Sequence, residues 1–363
     1  MRIGILTFHC AHNYGAVLQC YAMQEFLRSK GHDVEVINYR PNYLLNPYKT
    51  FNVYRFLSKN PIRILKGLII EFLLFPVRLK RFFGFEKFIN GRLSLSEKVT
   101  RSSISPNYDI YIVGSDQIWN PKITQGFDSI YFACFPFAKR TQKYISYAAS
   151  MESKVLNDEQ IEFFKKNLVN FDSLSVRENA LQQLLQPLST KHISQVLDPV
   201  LMAPSRIWDR FSSDKKDIGK YVVVYQVRTH PDTLRIARHI ASQIGAKVKV
   251  LVAWINLRSV EETNQTAIPE DFVDIIRNAA CIVTTSFHGT AFSVVFNRPF
   301  YTVKLNDGCD TRSLSLLSSL SLEERIVDVA DTPQFKEIDY SLANQKLEDL
   351  RCCSQEYLLK ALC

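Results

Sequence analysis

The residues best suited to chemistry lie in the stretch Cys281–Thr290. Its sequence predicts a buried strand, then a tight turn, then a helix that begins at once. The first N–H groups of a helix lack backbone partners and carry partial positive charge, so they favour phosphate or carboxylate ligands. Gly289 permits close backbone approach, and His288 could transfer a proton near neutral pH. A capped helix beside a surface histidine explains the same pattern, and the residues alone favour neither interpretation.

A second polar loop follows the first predicted strand. Asn13 and Gly15 suit a tight turn there, and the helix that follows provides another positively charged end. His9, Cys10 and His12 could be interpreted as metal ligands, but nothing nearby in the sequence completes a site. We therefore expect this loop to line a ligand cleft and predict no metal.

A third polar loop follows the strand predicted to end at Val113. Asp116, Gln117 and Asn120 could hydrogen-bond sugar hydroxyls, and Trp119 could stack on a sugar ring. A polar loop packed under a tryptophan explains the same residues. Considered by itself, the loop favours that second interpretation.

Three arginines lie at or near predicted strand ends: Arg177, Arg228 and Arg312. The guanidinium fork matches a carboxylate or a phosphate, so an anionic substrate would need one of them. Most arginines are solvated surface residues, and none of the three indicates a site by itself. Asp198 could act as a base, but Asp198-Pro199 is more typical of a structural turn.

The elements that must position these loops follow an α/β rhythm. Strand, loop, helix and strand alternate from the first residues, and the pattern restarts at Tyr221 after a charged segment that contains glycine. A length of 363 residues fits two domains of about 150–200 residues. We predict an α/β fold with two Rossmann-like domains facing a central cleft. The expected divisions are an N-terminal domain over 1–211, a C-terminal domain over 212–340 and a last helix over 341–363 that packs back on the N-terminal domain.

The positive charge of the chain is concentrated in one segment. Of a net charge of +9, residues 55–101 contribute eleven basic and three acidic side chains, mixed with aliphatic and aromatic ones. This mixture fits a helix at a membrane interface better than a nucleic-acid groove reader, so we predict no nucleic-acid partner. A helix that packs on the core with a basic outer face is nearly as good an explanation. No apolar run reaches the 18 or so residues needed to span a bilayer.

Composition narrows the class of protein and its compartment. Hydrophobic residues make up 46% and charged residues 22%, which excludes disordered and collagen-like chains. The eight cysteines form no Cys-x-x-Cys pair, and the first residues lack the pattern of a secretory signal. We expect a reducing, cytoplasmic location.

Six motifs in this order resemble the polysaccharide pyruvyl transferase family. They are His12-Asn-Tyr-Gly-Ala-Val-Leu-Gln, Gly114-Ser-Asp-Gln-Ile-Trp-Asn-Pro, Ile145-Ser-Tyr-Ala-Ala-Ser, Ser175-Val-Arg-Glu, Leu197-Asp-Pro-Val and Ser286-Phe-His-Gly-Thr-Ala-Phe-Ser. The resemblance implies a two-domain, GT-B-like fold. It also implies transfer of a pyruvyl group from phosphoenolpyruvate to two hydroxyls of a sugar, which forms a cyclic ketal and releases phosphate. Such enzymes modify bacterial polysaccharide precursors that are often lipid-linked, and they need no metal or organic cofactor.

The resemblance also implies roles for particular residues. It assigns catalysis to His288, as the acid, and to Asp116. It assigns donor binding on the C-terminal side to Ser286, Phe287, Gly289, Thr290, Arg177, Arg228 and Arg312. It assigns acceptor binding on the N-terminal side to His12, Asn13, Tyr14, Gly15, Ser115, Gln117, Trp119 and Asn120. Many relatives carry arginine two positions before this histidine, where this chain has Ser286, so an anion contact must come from one of the three arginines.

Two other functions compete with this one. The first is a GT-B glycosyltransferase that uses a nucleotide-sugar donor, although no acidic residue is clearly placed for a ribose. The second is a non-catalytic glycan- or membrane-binding partner of a capsule assembly complex, which the basic segment alone would support. If the family function holds, the segment 55–101 predicts peripheral contact with the inner face of the membrane.

Overall fold

A computed structural model describes residues 1–51, 61–104, 107–136, 142–152, 155–212, 218–255 and 262–363. Two predicted features lie partly outside the described residues: the start of the basic segment, 55–60, and most of the predicted domain boundary, 213–217.

Strands and helices alternate along the described chain. The strands are β1 Arg2–Leu6, β2 Asp33–Tyr39, β3 Leu95–Val99, β4 Ile110–Val113, β5 Lys143–Ser146, β6 Leu174–Val176, β7 Ile193–Gln195, β8 Tyr221–Gln226, β9 Lys247–Val252, β10 Glu262–Asn264, β11 Cys281–Thr284, β12 Phe300–Lys304 and β13 Ile326–Asp328. The helices are α1 Tyr14–Ser29, α2 Asn42–Leu45, α3 Pro61–Arg92, α4 Pro121–Thr124, α5 Asp158–Leu168, α6 Asn179–Leu185, α7 Pro199–Met202, α8 Pro231–Ile244, α9 Pro269–Arg277, α10 Phe287–Val295, α11 Thr311–Ser319 and α12 Ser341–Leu362.

The N-terminal half is built on a parallel sheet of five strands in the order β3-β2-β1-β4-β5. The central strands β1 and β4 are apolar and almost wholly buried, as expected of strands covered on both faces. Bridges from Ile145 to Ser173 and from Ala149 to Val176 attach the short β6–β7 pair to the β5 edge. The predicted βαβ unit at the start of the chain is present as β1, α1 and β2.

The C-terminal half repeats the arrangement with six parallel strands in the order β10-β9-β8-β11-β12-β13. Strand β11 lies inside this sheet, where Val283 pairs with Val224 on one side and with Tyr301 on the other. All four of its residues are buried. The predicted class, an α/β fold with two Rossmann-like halves facing a cleft, is confirmed.

Helix α12 runs back from the C-terminal half to the N-terminal one. The Leu197 backbone N–H donates to Ser354 Oγ at 2.9 Å, and the Tyr357 hydroxyl donates to the Ser146 carbonyl at 3.0 Å. Arg351 Nε donates to the Leu201 carbonyl at 3.0 Å. These bonds tie the last helix to the segment that leads into α7.

The two ends of helix α3 differ in how far their apolar side chains are buried. Its C-terminal part is core, since Phe85, Phe88 and Ile89 are buried. Its first two thirds expose large apolar side chains to solvent, namely Ile62, Leu65, Leu68, Ile69, Phe72, Leu73 and Phe75. The interpretation of a core-facing helix with a basic outer face therefore fits only the last turns. Among the described helices, none has the length and hydrophobicity that a bilayer crossing requires.

The basic segment also contributes a strand, which the sequence analysis missed. Residues Leu95–Val99 form β3, which pairs in parallel with β2 at the edge of the N-terminal sheet. Glu97 and Lys98 interrupt its apolar pattern, and charged side chains are common on edge strands because they block further pairing. The segment 55–101 thus contributes one strand to the N-terminal sheet.

The loop after β1 is held by His9, which is fully buried. Its Nδ1 lies 3.3 Å from the Thr7 carbonyl, and its Nε2 lies 3.2 Å from Asn38 Oδ1. Burial lowers the pKa of His9 from its ordinary 6.5 to about 4. Both ring nitrogens thus contact protein atoms. Because the pKa is low, the imidazole stays neutral at physiological pH.

This pKa makes the free energy of unfolding depend on pH. The stabilisation that neutral His9 gives to the folded state is complete above pH 6.5. It is lost as the pH falls toward 4, because the His9 imidazole takes up a proton at a higher pH in the unfolded state than in the folded one. We expect a slope of about 1.4 kcal/mol per pH unit in that range, measured by urea unfolding. The slope should disappear in His9→Gln and persist in His192→Gln, a change at an exposed histidine. An unchanged slope in His9→Gln would contradict the assignment.

Candidate active site

A cavity of about 460 Å³ lies between the two halves. It opens where the carboxyl ends of β1 and β4 face those of β8 and β11, the usual place for ligands in parallel α/β sheets. Its lining from the N-terminal half includes Phe8, Ala11, Asn13, Tyr48, Asp116 and Gln117. Its lining from the C-terminal half includes Arg228, Trp254, Thr285, Ser286, Phe287, His288 and Arg312.

The turn between β11 and α10 is built by short polar side chains. Ser286 caps α10, since its Oγ accepts from the Gly289 N–H at 3.4 Å. A Cβ on Gly289 would lie 2.3 Å from Thr284 Oγ1, so this position must be glycine. Thr290 is buried, and its Oγ1 lies 2.7 Å from Thr302 Oγ1. Gly289 and Thr290 therefore shape the turn, and Ser286, Phe287 and His288 line the cavity.

His288 is enclosed by groups from the N-terminal half. Its Nε2 lies 3.6 Å from Asp198 Oδ2, and only 8% of its side chain is exposed. Among the described residues, Nε2 has no partner within hydrogen-bond distance. A Cβ on Gly15 would lie 2.0 Å from His288 Nδ1, so the α1 backbone lies directly against the ring. The position of this histidine thus depends on both halves.

Asp198 is the centre of a buried ionic cluster. It accepts from Arg177 Nη1 at 2.6 Å and from Ser115 Oγ at 3.2 Å, and its Oδ1 accepts from the Val200 N–H at 3.0 Å. Burial raises the pKa of Asp198, but the neighbouring His288 and the charge of Arg177 outweigh that effect. They hold the pKa well below its usual range. The sequence interpretation of a structural turn is correct as far as it goes, since Asp198 caps α7, but it missed this charge beside His288.

Two of the three candidate arginines are already neutralised. Arg177 donates to Asp198 and to Glu178, and its guanidinium lies 4.4 Å from the centre of the Phe287 ring. Arg228 pairs with Asp307 and Asp310, the latter at 2.8 Å, and donates to the Thr285 carbonyl at 2.9 Å. Both arginines stabilise the walls of the cavity.

Arg312 is different, because it lines the cavity and has no carboxylate partner among the described residues. With the Gln117 amide turned so that its oxygen faces the guanidinium, that oxygen lies 3.2 and 3.3 Å from two of its nitrogens. Arg312 Nε is buried without a partner in the described part of the chain. Burial and the charge of Arg177 lower the pKa of Arg312. Of the three arginines, Arg312 has the donors left for an anionic ligand.

Asn13, Asp116 and Gln117, which the sequence analysis placed in a ligand cleft, line the cavity. Asn13 Oδ1 also caps α1 by accepting from the Gly15 N–H at 2.9 Å. Asp116 has a φ of 70°, in the left-handed region, which places its side chain at the turn after β4. Polar atoms from both halves thus face one space.

The other predicted acceptor residues lie elsewhere. Trp119 is fully buried, with Nε1 donating to the Tyr131 carbonyl at 2.8 Å, so the ring has no face for a sugar. Asn120 caps α4, and Ser115 is buried against Asp198. Tyr14 stacks on Phe272 with centroids 4.7 Å apart, and its hydroxyl donates to the Ala267 carbonyl. Each of these side chains stabilises the fold beside the cavity and does not line it.

His12 also lies outside the lining of the main cavity. Its Nε2 lies 3.0 Å from Glu86 Oε1, and Arg40 bonds the same carboxylate. Burial raises the pKa of Glu86, but His12 and Arg40 outweigh it and lower the value to about 2. This pairing joins the loop after β1 to α3, a contact that local spacing in the sequence does not reveal.

Two aromatic residues at the edge of the cavity escaped the sequence analysis. Tyr48 and Trp254 stack with centroids 5.2 Å apart and planes 8° from parallel. One comes from the N-terminal half and the other from the C-terminal half, so the pair closes one end of the cleft. Trp254 follows β9, and its position after a strand was the signal available in the sequence.

A buried histidine beside a carboxylate, an arginine with unused donors and polar side chains from both halves meet at one cavity, which is typical of an enzyme active site in an α/β fold. The family model described as polysaccharide pyruvyl transferase matches residues 13–307. The chain belongs to the polysaccharide pyruvyl transferase family and is an enzyme of that kind.

Solved structures resemble the chain at low identity. UDP-GlcNAc 2-epimerase from Methanocaldococcus jannaschii is 11% identical, with a TM-score of 0.46 over 96% of this chain and 92% of that one. MurG from Acinetobacter baumannii is 10% identical, with a TM-score of 0.40 over 99% of this chain and 94% of that one. An α-glucosyltransferase in complex with UDP and a 13-mer DNA is 10% identical, with a TM-score of 0.45 over 100% of this chain and 95% of that one. The comparison with curated proteins gives no match.

The contact between Gly15 and His288 can be tested by one methyl group. Gly15→Ala places a Cβ on the imidazole, so the ring or α1 must shift, and we expect a loss of about 1–3 kcal/mol in the free energy of unfolding. Gly91→Ala is the control, because a Cβ there meets nothing within 4 Å. It should be neutral or stabilising by about 0.5–1 kcal/mol, as expected in a helix. Equal effects of the two changes in urea unfolding would argue against this close contact.

Proposed function

We propose that this enzyme transfers the pyruvyl group of phosphoenolpyruvate to two hydroxyls of one sugar in a bacterial polysaccharide precursor. The product is a cyclic ketal, and inorganic phosphate is released. The observation that carries the proposal is the cluster of His288, Asp198 and Arg312 at the N-terminus of α10. No metal or organic cofactor is part of the proposed reaction.

The donor suits the charges of the cavity. Phosphoenolpyruvate carries a phosphate and a carboxylate, and both favour guanidinium groups and helix N-termini. Arg312 supplies the free guanidinium, and α10 supplies the helix end. In this proposal Arg312 makes the anion contact that Ser286 cannot make. Arg177 and Arg228 hold the neighbouring carboxylates in place.

The first step is protonation of the donor. His288 gives its proton from Nε2 to the methylene carbon C3, and the electron pair of the C2–C3 double bond forms the new C–H bond. C2 becomes oxocarbenium-like, and a first sugar hydroxyl forms a C–O bond to it. Asp198 stabilises the imidazolium before the transfer, because its ionised carboxylate lies 3.6 Å from Nε2.

The second step closes the ketal. The C2–O bond to phosphate breaks, the phosphate leaves with the bonding pair, and a second hydroxyl of the same sugar forms a C–O bond to C2. Each attacking hydroxyl loses one proton: one replaces the proton that His288 gave to C3, and the other leaves on the released phosphate. Asp116 lies at the acceptor side of the cavity and is the proposed base, with Asn13 and Gln117 orienting the sugar.

The acceptor is proposed to be lipid-linked, with the enzyme held at the inner face of the membrane from the cytoplasm. Helix α3 supports this placement, since the Phe72 side chain is 82% exposed and Leu65 is 59% exposed. Arg63 and Lys66 are exposed on the same turns. Apolar side chains beside basic ones are typical of helices that lie in a membrane interface, where each basic residue adds about 1 kcal/mol near anionic lipid.

The proposed pyruvyl transfer is tested by incubating the protein with phosphoenolpyruvate and bacterial glycan acceptors. Phosphate release and the mass of the acceptor are followed. His288→Gln should lower kcat by about 10²–10⁴. Arg312→Gln should raise the KM for phosphoenolpyruvate by about 10–100-fold, because a bond to a charged group contributes about 1.5–3 kcal/mol. Arg206→Gln, at an exposed arginine outside the cavity, should change neither value.

Full activity in His288→Gln would exclude its role as the acid. Saturable binding of a nucleotide diphosphate, without binding of phosphoenolpyruvate, would favour a glycosyltransferase with a nucleotide-sugar donor instead.

Membrane contact through α3 is tested by sedimentation with phosphatidylglycerol–phosphatidylcholine vesicles. Phe72→Ser should weaken binding at least about tenfold, since burial of a phenylalanine contributes about 1.5–3 kcal/mol. Leu342→Ser removes an exposed leucine from α12 and is the matched control, with no change expected. Equal binding of both variants and the wild type would place the membrane contact, if there is one, away from α3.

A further inference from the structure

A second, smaller cavity of about 70 Å³ lies on the α3 side of the molecule. We call it the side cavity, and its lining includes His12, Pro47, Tyr48, Lys49, Arg78, Arg81, Phe82, Ala253 and Trp254. Pro47, Tyr48 and Trp254 also line the main cavity, so the two spaces share one wall. That wall is the stacked ring pair of Tyr48 and Trp254.

Arg81 is the unusual residue of the side cavity. It is only 5% exposed, and its guanidinium donates to the carbonyls of Val252 at 2.9 Å and Ala253 at 3.2 Å. Its other acceptors are the Gln265 carbonyl and the Tyr14 hydroxyl. All of these are neutral, and within the described part of the chain no carboxylate forms an ion pair with Arg81. A buried charge without a counter-ion is costly, so an anion in the cavity would stabilise it.

Two further cations face the same space. Lys49 is exposed and has no ion-pair partner among the described residues, whereas Arg78 pairs with Glu71. No aspartate or glutamate belongs to the described lining of the side cavity. Glu86 pairs with His12 and Glu71 with Arg78, so the positive charge not offset by an ion pair among the described residues is that of Arg81 and Lys49. Their guanidinium and ammonium groups match the oxygens of a phosphate ester.

The exposed apolar face of α3 leads into this cavity. Leu65, Leu68, Phe72 and Phe75 are exposed and follow one another at helical spacings of three and four residues. Arg78 and Phe82 continue the same spacing and line the side cavity. At about 1.5 Å per residue, Phe75 lies roughly 5 Å along the helix axis from Arg78. An apolar surface and an anion site thus adjoin on one face of one helix.

We infer that the side cavity binds the phosphate or diphosphate group of a phosphorylated lipid, with the lipid tail along α3. The Tyr48–Trp254 pair then stands where the sugar carried by that phosphate enters the main cavity. The inference rests on the proposed function for the identity of the sugar acceptor. The anion site itself rests on Arg81, Lys49 and the α3 face.

The test is calorimetric titration of the full chain, without phosphoenolpyruvate, using inorganic pyrophosphate and farnesyl diphosphate as probes. Lys49→Met should weaken binding of both probes about tenfold, because one charged contact is lost. Lys360→Met, which removes an exposed lysine from α12, should change neither. Farnesyl diphosphate should bind at least tenfold more tightly than pyrophosphate, and Phe75→Ser should reduce that difference. Arg81→Met should abolish binding, and Lys49→Met keeps the test valid if Arg81→Met does not fold.

Three results would overturn the inference. The first is unchanged affinity for both probes in Lys49→Met. The second is loss of probe binding in Arg312→Gln but not in Lys49→Met, which would place the anion in the main cavity. The third is loss of binding to phosphatidylglycerol vesicles in Lys49→Met with both diphosphates still bound, which would indicate a membrane headgroup contact. Because no donor or turnover is involved, failure of pyruvyl transfer would leave these results unaffected.

Discussion

One buried carboxylate holds the active site together. Asp198 carries a negative charge inside the protein, and that charge is stable there only because Arg177, Ser115 and His288 surround it. Arg177 and Ser115 come from the same half as Asp198, whereas His288 comes from the other half. The catalytic geometry is therefore a property of the docked halves, and neither half has it alone.

The loop after β1 contributes several neighbouring residues to the interface between the two halves. Three consecutive residues have three different tasks: Asn13 faces the main cavity, Tyr14 stacks on Phe272 across the interface, and Gly15 makes room for the His288 ring. Arg81 reinforces the same junction by donating to backbone carbonyls of the C-terminal half. A substitution in this loop would thus disturb the docking of the halves and the site together.

Local patterns in the sequence predicted the fold and the loops of the site better than its individual contacts. Alternating strands and helices specify two parallel sheets, and parallel sheets bring loops together at their carboxyl ends, so the position of His288, Asp116 and Asn13 at one cavity was predictable. Trp119 and Tyr14 were misplaced because polar loops and aromatic residues look alike whether a side chain faces a cavity or the core. The charged cluster around Asp198 was not predicted, because its partners Arg177 and His288 lie 21 and 90 residues away in the sequence. Such ion pairs depend on the three-dimensional fold, which local spacing does not encode.

Under the proposed mechanism, the contact of His288 with Gly15 and Asp198 makes closure of the cleft a condition for acid catalysis. If the halves separate, the imidazole moves away from the Asp198 carboxylate and becomes open to water. An enol phosphate that is protonated without an acceptor would be consumed by water. In the proposed reaction, a site assembled from both halves would therefore protect the reactive intermediate, since His288 reaches its position beside Asp198 only when the walls of the cavity are also in place.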